Sequence, residues 1–262
     1  MVIVYTGLPL RNARGPRDLL EALVHAMIGY INLLDQDYQH HDISNGNILL
    51  VEPFEVASSS DEILGTRHFF GIRKCRGILV DGADGKEQQA NRRSLQNTLP
   101  FMSQDMLDEM DWPSNTTHTA LDDLESFIWV LVWECLHKGK SRNSLSNWDL
   151  KSLDGFKDCC PQHLASFKGA FLSTCRNVDP ELEDSFLSPL AVLLAQWAGI
   201  RSEARRQMIA LEKIRRRLST DDSDGAAQVL DKMDVLCRNT GLKYVHAGLG
   251  HLANLGEAWA LS

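Results

Sequence analysis

Gln39-His40-His41-Asp42-Ile43-Ser44-Asn45-Gly46-Asn47-Ile48-Leu49-Leu50 is the stretch on which the fold turns. Its first nine residues are turn-forming or polar apart from Ile43, and its last three are apolar and suited to a strand. Upstream, Leu20, Leu23, Val24, Met27, Ile28, Ile31 and Leu34 recur at steps of three and four, which makes one apolar helix face reaching about Asp35. Gly15-Pro16 opens that helix, with proline in the first turn where a missing N–H costs nothing. The chain therefore passes from an amphipathic helix, through an irregular polar loop, into a short strand. Inside the loop an aspartate precedes an asparagine by five residues.

Working outward, residues 2–5 read as a strand ending at Thr6-Gly7, and residues 48–51 and 77–80 are apolar segments of strand length. Residues 52–76 form a polar, serine-containing connection, and residues 82–97 are expected to be loop. The character then becomes helical. Thr119-x-x-Asp122 is a capping box in which the acid bonds back to the cap. After it, residues 124–136 are apolar on nearly every side, so this helix should run through the middle of a lobe. Further helices are expected at 156–175, 181–197, 202–218 and 226–238, with a break at 220–225. Few strands early and many helices late predict an α+β fold with most of its mass helical.

Composition narrows the class. The 262 residues are 44% hydrophobic and 24% charged, which excludes a disordered chain or a fibre. Acidic residues outnumber basic ones by 35 to 27, a formal charge of −8, so nucleic acid and anionic membrane are not the expected partners. The apolar runs at 127–136 and 190–200 contain Glu134 and Gln196 and fall short of the roughly 20 residues that cross a bilayer. No signal peptide is legible at the N-terminus. Six cysteines without a C-x-x-C pair predict reduced, core-filling thiols and an intracellular protein, cytoplasmic or nuclear. Cys159-Cys160 followed by His163 is half a zinc site with no visible second half.

The loop carries the chemistry. Asp42 and Asn47 have the spacing of the protein-kinase catalytic loop, H-R-D-x-x-x-x-N, where the aspartate takes the acceptor hydroxyl's proton and the asparagine holds magnesium on the phosphates. Alone, the pair is equally a plain turn of Asp, Asn, Ser and Gly. Its neighbours matter. Thirty-nine residues after Asp42, the apolar run Gly77-Ile78-Leu79-Val80 ends in Asp81. Thr98-Leu99-Pro100-Phe101-Met102-Ser103 follows, leading to Asp105, and Asp122-Asp123-Leu124-Glu125-Ser126 opens the apolar helix.

In this order and spacing the blocks resemble the fungal-type protein kinases, a eukaryotic kinase-like family, whose hallmarks are H-R-D-I-S-x-x-N-I-L, G-x-L-I-D, G-T-x-P-F-M-S and D-D-L-E-S. The resemblance is specific over residues 7–136 and looser beyond. It implies Asp42 as catalytic base, Asn47 and Asp81 as magnesium ligands and Leu49 as the apolar floor under adenine. It implies that His40, Thr98 and Asp123 support the catalytic loop, and that Asp105 stands for the acid ending the activation segment. Tyr5-Thr6-Gly7 resembles the hinge between lobes. ATP and Mg2+ are the implied cofactors, and ATP-dependent Ser/Thr phosphorylation the implied activity.

The departures shape the expectation. The glycine-rich loop, the strand lysine and its helix glutamate are absent, so the sequence predicts mainly the helical C-lobe, with the N-lobe largely missing. Residues 1–200 are then the kinase-like domain and 201–262 a C-terminal helical extension. His41 replaces arginine, and lacks its charge and fork. Asp81 is followed by Gly82-Ala83 rather than an aromatic and a glycine, and Asp84 competes with it as the metal-site acid. Asp122 and Asp123 also suit any helix start. Arg201 to Arg217 supply a basic amphipathic helix, read first as a solvated face, and the six tryptophans read as core anchors. Three functions remain open: an active kinase completed outside these residues, a pseudokinase acting as a binding module, and a helical scaffold using the basic helix. The protein substrate or partner is not legible.

Overall fold

The computed structural model describes residues 7–55, 74–81, 99–110, 118–141, 143, 145–158, 160–177, 185–218 and 222–255. In chain order they form β1 (Leu8–Pro9), α1 (Pro16–Leu34), β2 (Ile48–Glu55), β3 (Lys74–Leu79), α2 (Gln104–Glu109), α3 (Ala120–Ser141), α4 (Asn147–Phe156), α5 (Pro161–Asn177), α6 (Ala191–Arg215) and α7 (Ser223–Asn254). Short 3-10 turns occupy Leu10–Asn12, Leu99–Phe101 and Ser188–Leu190. The fold is α+β and mostly helical, as the segregated pattern predicts. The strand expected at residues 2–5 and the loop at 82–97 lie outside the described residues.

The sheet is antiparallel in the order β1-β2-β3, with Pro9 opposite Leu49 and Leu49 opposite Ile78. β2 and β3 each extend into what the sequence presents as polar connection. An irregularity after Leu50 absorbs the mismatch, so that Phe54 pairs with Cys75. α1 covers β3 at close range. A Cβ added at Gly77 would lie 2.1 Å from the Ala22 carbonyl oxygen, so only glycine lets the strand backbone approach the helix backbone this closely. Asp18 and His25, on the same helix, meet β3 through Arg76. The Arg76 Nε donates to Asp18 Oδ1 at 2.7 Å and its backbone N–H donates to His25 Nδ1 at 2.8 Å.

α3 is the central helix. Every residue from Ala120 to Val132 is buried, and it packs against α1, α4, α6 and α7. Of the expected capping box, the acid half forms. The Thr119 N–H donates to Asp122 Oδ2 at 2.7 Å, but the Thr119 hydroxyl donates to the same oxygen instead of accepting.

Helix boundaries after α3 differ from expectation in three places. α4 ends at Phe156, where a helix was expected to begin, and α5 starts at Pro161, the first-turn position that proline favours. Residues 191–215 make one helix through Gly199, because buried Leu194, Trp197, Ala198 and Ala204 hold the segment on the core across that glycine. α7 continues to Asn254, well beyond 238, along a face of buried Cys237, Tyr244, Val245 and Leu252. Trp129 and Trp197 are fully buried and Trp133 and Trp148 pack against the core, which makes them anchors. Among the described residues no helix is long and apolar enough to cross a membrane.

Candidate active site

The loop between α1 and β2 is held from below by one carboxylate. Asp123, fully buried in the first turn of α3, accepts the backbone N–H groups of His40 and His41 at 3.0 and 3.1 Å. The same oxygen accepts the Tyr30 hydroxyl of α1 at 2.9 Å. Its other oxygen accepts His118 Nε2 at 3.0 Å. Burial works to push Asp123 up, yet His118, the His41 N–H and the Tyr30 hydroxyl together hold it below the ordinary carboxylate value. Burial likewise works to push His118 down, but the hydrogen bond and charge of Asp123, with the charge of Asp122, raise it. A charge-assisted pair therefore clamps the loop to α3.

His40 extends the clamp sideways. Its ring is buried, with Nε2 donating to the Val80 carbonyl at 3.0 Å and Nδ1 accepting the Asp42 N–H at 3.4 Å. It thus ties the loop to the end of β3. His41 adopts a left-handed backbone, φ 64°, and its ring meets His118 edge-on with centroids 4.7 Å apart. Burial and the facing His118 lower its pKa.

Asp42 and Asn47 are in direct contact. Asn47 Nδ2 donates to the Asp42 carbonyl at 2.8 Å and to the Asp42 carboxylate at 3.0 Å. That leaves the amide oxygen of Asn47 for another partner. The Val80 N–H donates to the Asn47 carbonyl at 2.9 Å, which sets the next residue, Asp81, beside the loop. Asp81 is exposed and has φ 55°, so the chain turns sharply as β3 ends. Leu49 lies in β2 beneath Gly7, where an added Cβ would fall 2.6 Å from the Leu49 Cβ. Thr98, Asp84, Tyr5 and Thr6 lie outside the described residues.

Two kinds of cation site can be weighed here. His41, His118 and Asp123 present ligand atoms within 4.8 Å of one another, but both Asp123 oxygens are already engaged by hydrogen bonds. The Asn47 amide oxygen and the Asp81 carboxylate are hard oxygen donors, the set that magnesium takes.

A second network ties the Phe101-Met102-Ser103 segment to α3. Ser103 caps α2, accepting the Met106 N–H at 3.1 Å and donating to Asp122 Oδ1 at 2.5 Å. The Gln104 N–H donates to buried Glu125 at 2.8 Å, and buried Lys168 of α5 donates to the Met102 carbonyl above the Trp129 ring. Arg201 and Arg205 of α6 complete it. Arg201 Nε donates to Glu125 at 2.6 Å, while Arg205 pairs with Asp105 at 2.9 Å and also with Asp122. These two arginines correct the reading of a wholly solvated basic face. Arg206, Lys213, Arg215, Arg216 and Arg217 are exposed, but Arg201 and Arg205 turn inward. Sequence reasoning missed them, along with Lys168 and Glu125. The available signal was that Arg201 and Arg205 stand four apart on the side of Ala204 and Met208, while Asp105, Asp122 and Glu125 lack local cations.

The searches of characterised proteins and of solved structures give no match. The family model for fungal protein kinases matches residues 1–135, just over half of the chain. That span contains the clamped loop, the Asp42–Asn47 contact, Asp81 at the end of β3 and most of α3. The chain belongs to the fungal protein kinase family.

Proposed function

We propose that these residues form the acceptor and metal side of a phosphoryl-transfer site, acting on a protein serine or threonine hydroxyl with ATP as donor. The observation that carries the reading is the contact of Asn47 Nδ2 with both the carbonyl and carboxylate of Asp42. It holds the Asp42 carboxylate in one orientation, so that its remaining lone pairs can accept the proton of an incoming hydroxyl. The same contact leaves the Asn47 amide oxygen to a cation, and Asp81, which follows the Val80 N–H bonded to the Asn47 carbonyl, would supply the carboxylate. Those two groups would hold magnesium, whose chemistry is to neutralise charge on the transferring phosphoryl group. Leu49, covered by Gly7, offers an apolar face for adenine, and Asp123 with His40 fixes the backbone that aims Asp42.

Catalysis of this kind is positioning and electrostatics. The 262 residues contain no G-x-G-x-x-G cradle for the phosphates, so the chain alone is expected to bind ATP weakly and to transfer phosphate near background. A protein-binding role is the second reading. His41 favours it: its ring rests on His118, and it has no guanidinium with which to grip a phosphorylated activation segment.

Calorimetric titration with ATP, with and without magnesium, tests the site. Weak binding that needs magnesium and is lost in Asp81→Asn and Asn47→Ala is the expected result. Binding indifferent to magnesium would sink the metal assignment. Submicromolar binding would show a complete nucleotide site and overturn the weak-activity reading.

A further inference from the structure

We infer that the cavity between the catalytic loop and α3 recognises an acidic segment of the protein substrate, a few residues from the hydroxyl that Asp42 receives. This rests on the phosphoryl-transfer reading for its placement, and on independent observations for its charge. The cavity is about 470 Å3 and is lined by Arg11, Asn45, Trp133, Glu134, Lys138 and Lys140 among others. Asn45 belongs to the loop itself, three residues after Asp42. Three residues of extended chain span at most about 11 Å, so the Asn45 wall of the cavity lies within the reach of two to four substrate residues from Asp42.

The lining is positive in a chain of net charge −8. Arg11, Lys138 and Lys140 bring three cations against one carboxylate, Glu134, and that carboxylate is buried and accepts Asn45 Nδ2 at 2.7 Å. Arg11 and Lys140 are exposed, and no ion pair joins either to an acid among the described residues. Asp154 is the acid whose field reaches Lys140, and it pairs with Lys157 at 2.8 Å. Lys138 spans the cavity rim, donating to the Arg11 carbonyl at 3.0 Å.

Trp133 gives the cavity a rigid wall. Its ring is fixed by Phe101, Phe156 and His137, with centroids 5.7, 5.8 and 4.1 Å away. A half-buried aromatic wall with cations on its rim suits an extended peptide, whose backbone lies on the ring while its carboxylates reach the cations. A basic peptide would instead face the exposed cations Arg11 and Lys140 and a carboxylate already satisfied by Asn45. Aspartate, glutamate and phosphoserine share this chemistry.

Fluorescence anisotropy with the full chain and labelled serine peptides tests the inference, in about 0.15 M salt where distant charges are screened. One series carries aspartates two to four residues from the serine, on either side in turn. Matched series carry lysines there, phosphoserine there, or aspartates ten residues away. The close acidic peptide of at least one side should bind about tenfold or more tighter than its lysine and remote-aspartate counterparts. The phosphoserine arm reports which anion the cavity prefers. The double variant Arg11→Glu, Lys140→Glu should reverse the preference with an unchanged melting midpoint. If that variant unfolds, Lys140→Glu alone provides the same reading. Equal binding of acidic and basic peptides, or an acidic preference that survives charge reversal, overturns the proposal. No nucleotide is present, so this outcome is separate from failure of the magnesium site.

Discussion

Buried Asp123 pairs with half-buried His118, Nε2 to Oδ1 at 3.0 Å, and the carboxylate's second oxygen holds the backbone of His40 and His41. The loop between α1 and β2 is therefore held by a carboxylate that also pairs with a histidine lying in none of the family's named blocks.

The first prediction concerns pH. His118 has a raised pKa in the folded chain, so its contribution is complete below the ordinary histidine value of 6.5 and is lost as pH climbs through the raised value. Asp123 is lowered, so its share is present above the ordinary carboxylate value and lost only in acid. His25 runs the opposite way to His118. Burial holds it at about 4, so its contribution is present above 6.5 and lost as pH falls towards 4. Melting midpoints of wild type and His118→Gln between pH 5 and 8 should converge as pH rises, because glutamine keeps a donor without the charge. Parallel curves would show that the pair carries no charge-dependent stability.

Gly77→Ala should be costly despite adding one methyl group. The new Cβ would lie 2.1 Å from the Ala22 carbonyl oxygen, and neither backbone can yield without separating β3 from α1. Overpacking of this kind costs about 1–3 kcal/mol, and a backbone clash belongs at the upper end. Urea unfolding measures it, and a change under about 0.5 kcal/mol would mean the strand relaxes freely.

Leu131→Ala tests the centrality of α3. The side chain is fully buried, so removing it should cost about 2–5 kcal/mol, depending on how far the cavity collapses. Equilibrium denaturation of the purified variant gives the value. Less than about 1 kcal/mol would place the core elsewhere.

Arg205→Leu removes the cation shared by Asp105 and Asp122. Asp122 is buried, and Ser103 and Thr119 cannot neutralise it. Losing one partner of a buried pair costs about 3–5 kcal/mol. The double variant Arg205→Leu, Asp122→Asn should recover part of that loss. Absence of coupling in this double-mutant cycle would show the pair to be energetically silent.

How much was legible follows from the range of the interactions. The α1 periodicity, the Asp42–Asn47 spacing and the all-apolar α3 are local features that a linear reading catches. The helix limits after α3 are less legible, because a local breaker can lose to packing. Gly199 lies within α6 because Leu194, Trp197 and Ala198 are buried around it. At Pro161 the local signal wins instead: α4 ends at Phe156 and the next helix starts at that proline.

By itself, the sequence determined the mostly helical α+β class, the family blocks and the five-residue loop that lets Asn47 reach Asp42. Closing so short a loop costs little entropy, and residue identity nearly suffices to dictate it. Only the tertiary structure decided the partners that come from far along the chain. Asp123 lies 83 residues from His40, Arg205 lies 83 from Asp122, and Arg201 lies 76 from Glu125. Each arginine could equally have faced water. Burying the apolar side of α6 against the core carried Arg201 and Arg205 inward with it, and once they were desolvated, pairing with the carboxylates of α2 and α3 became obligatory.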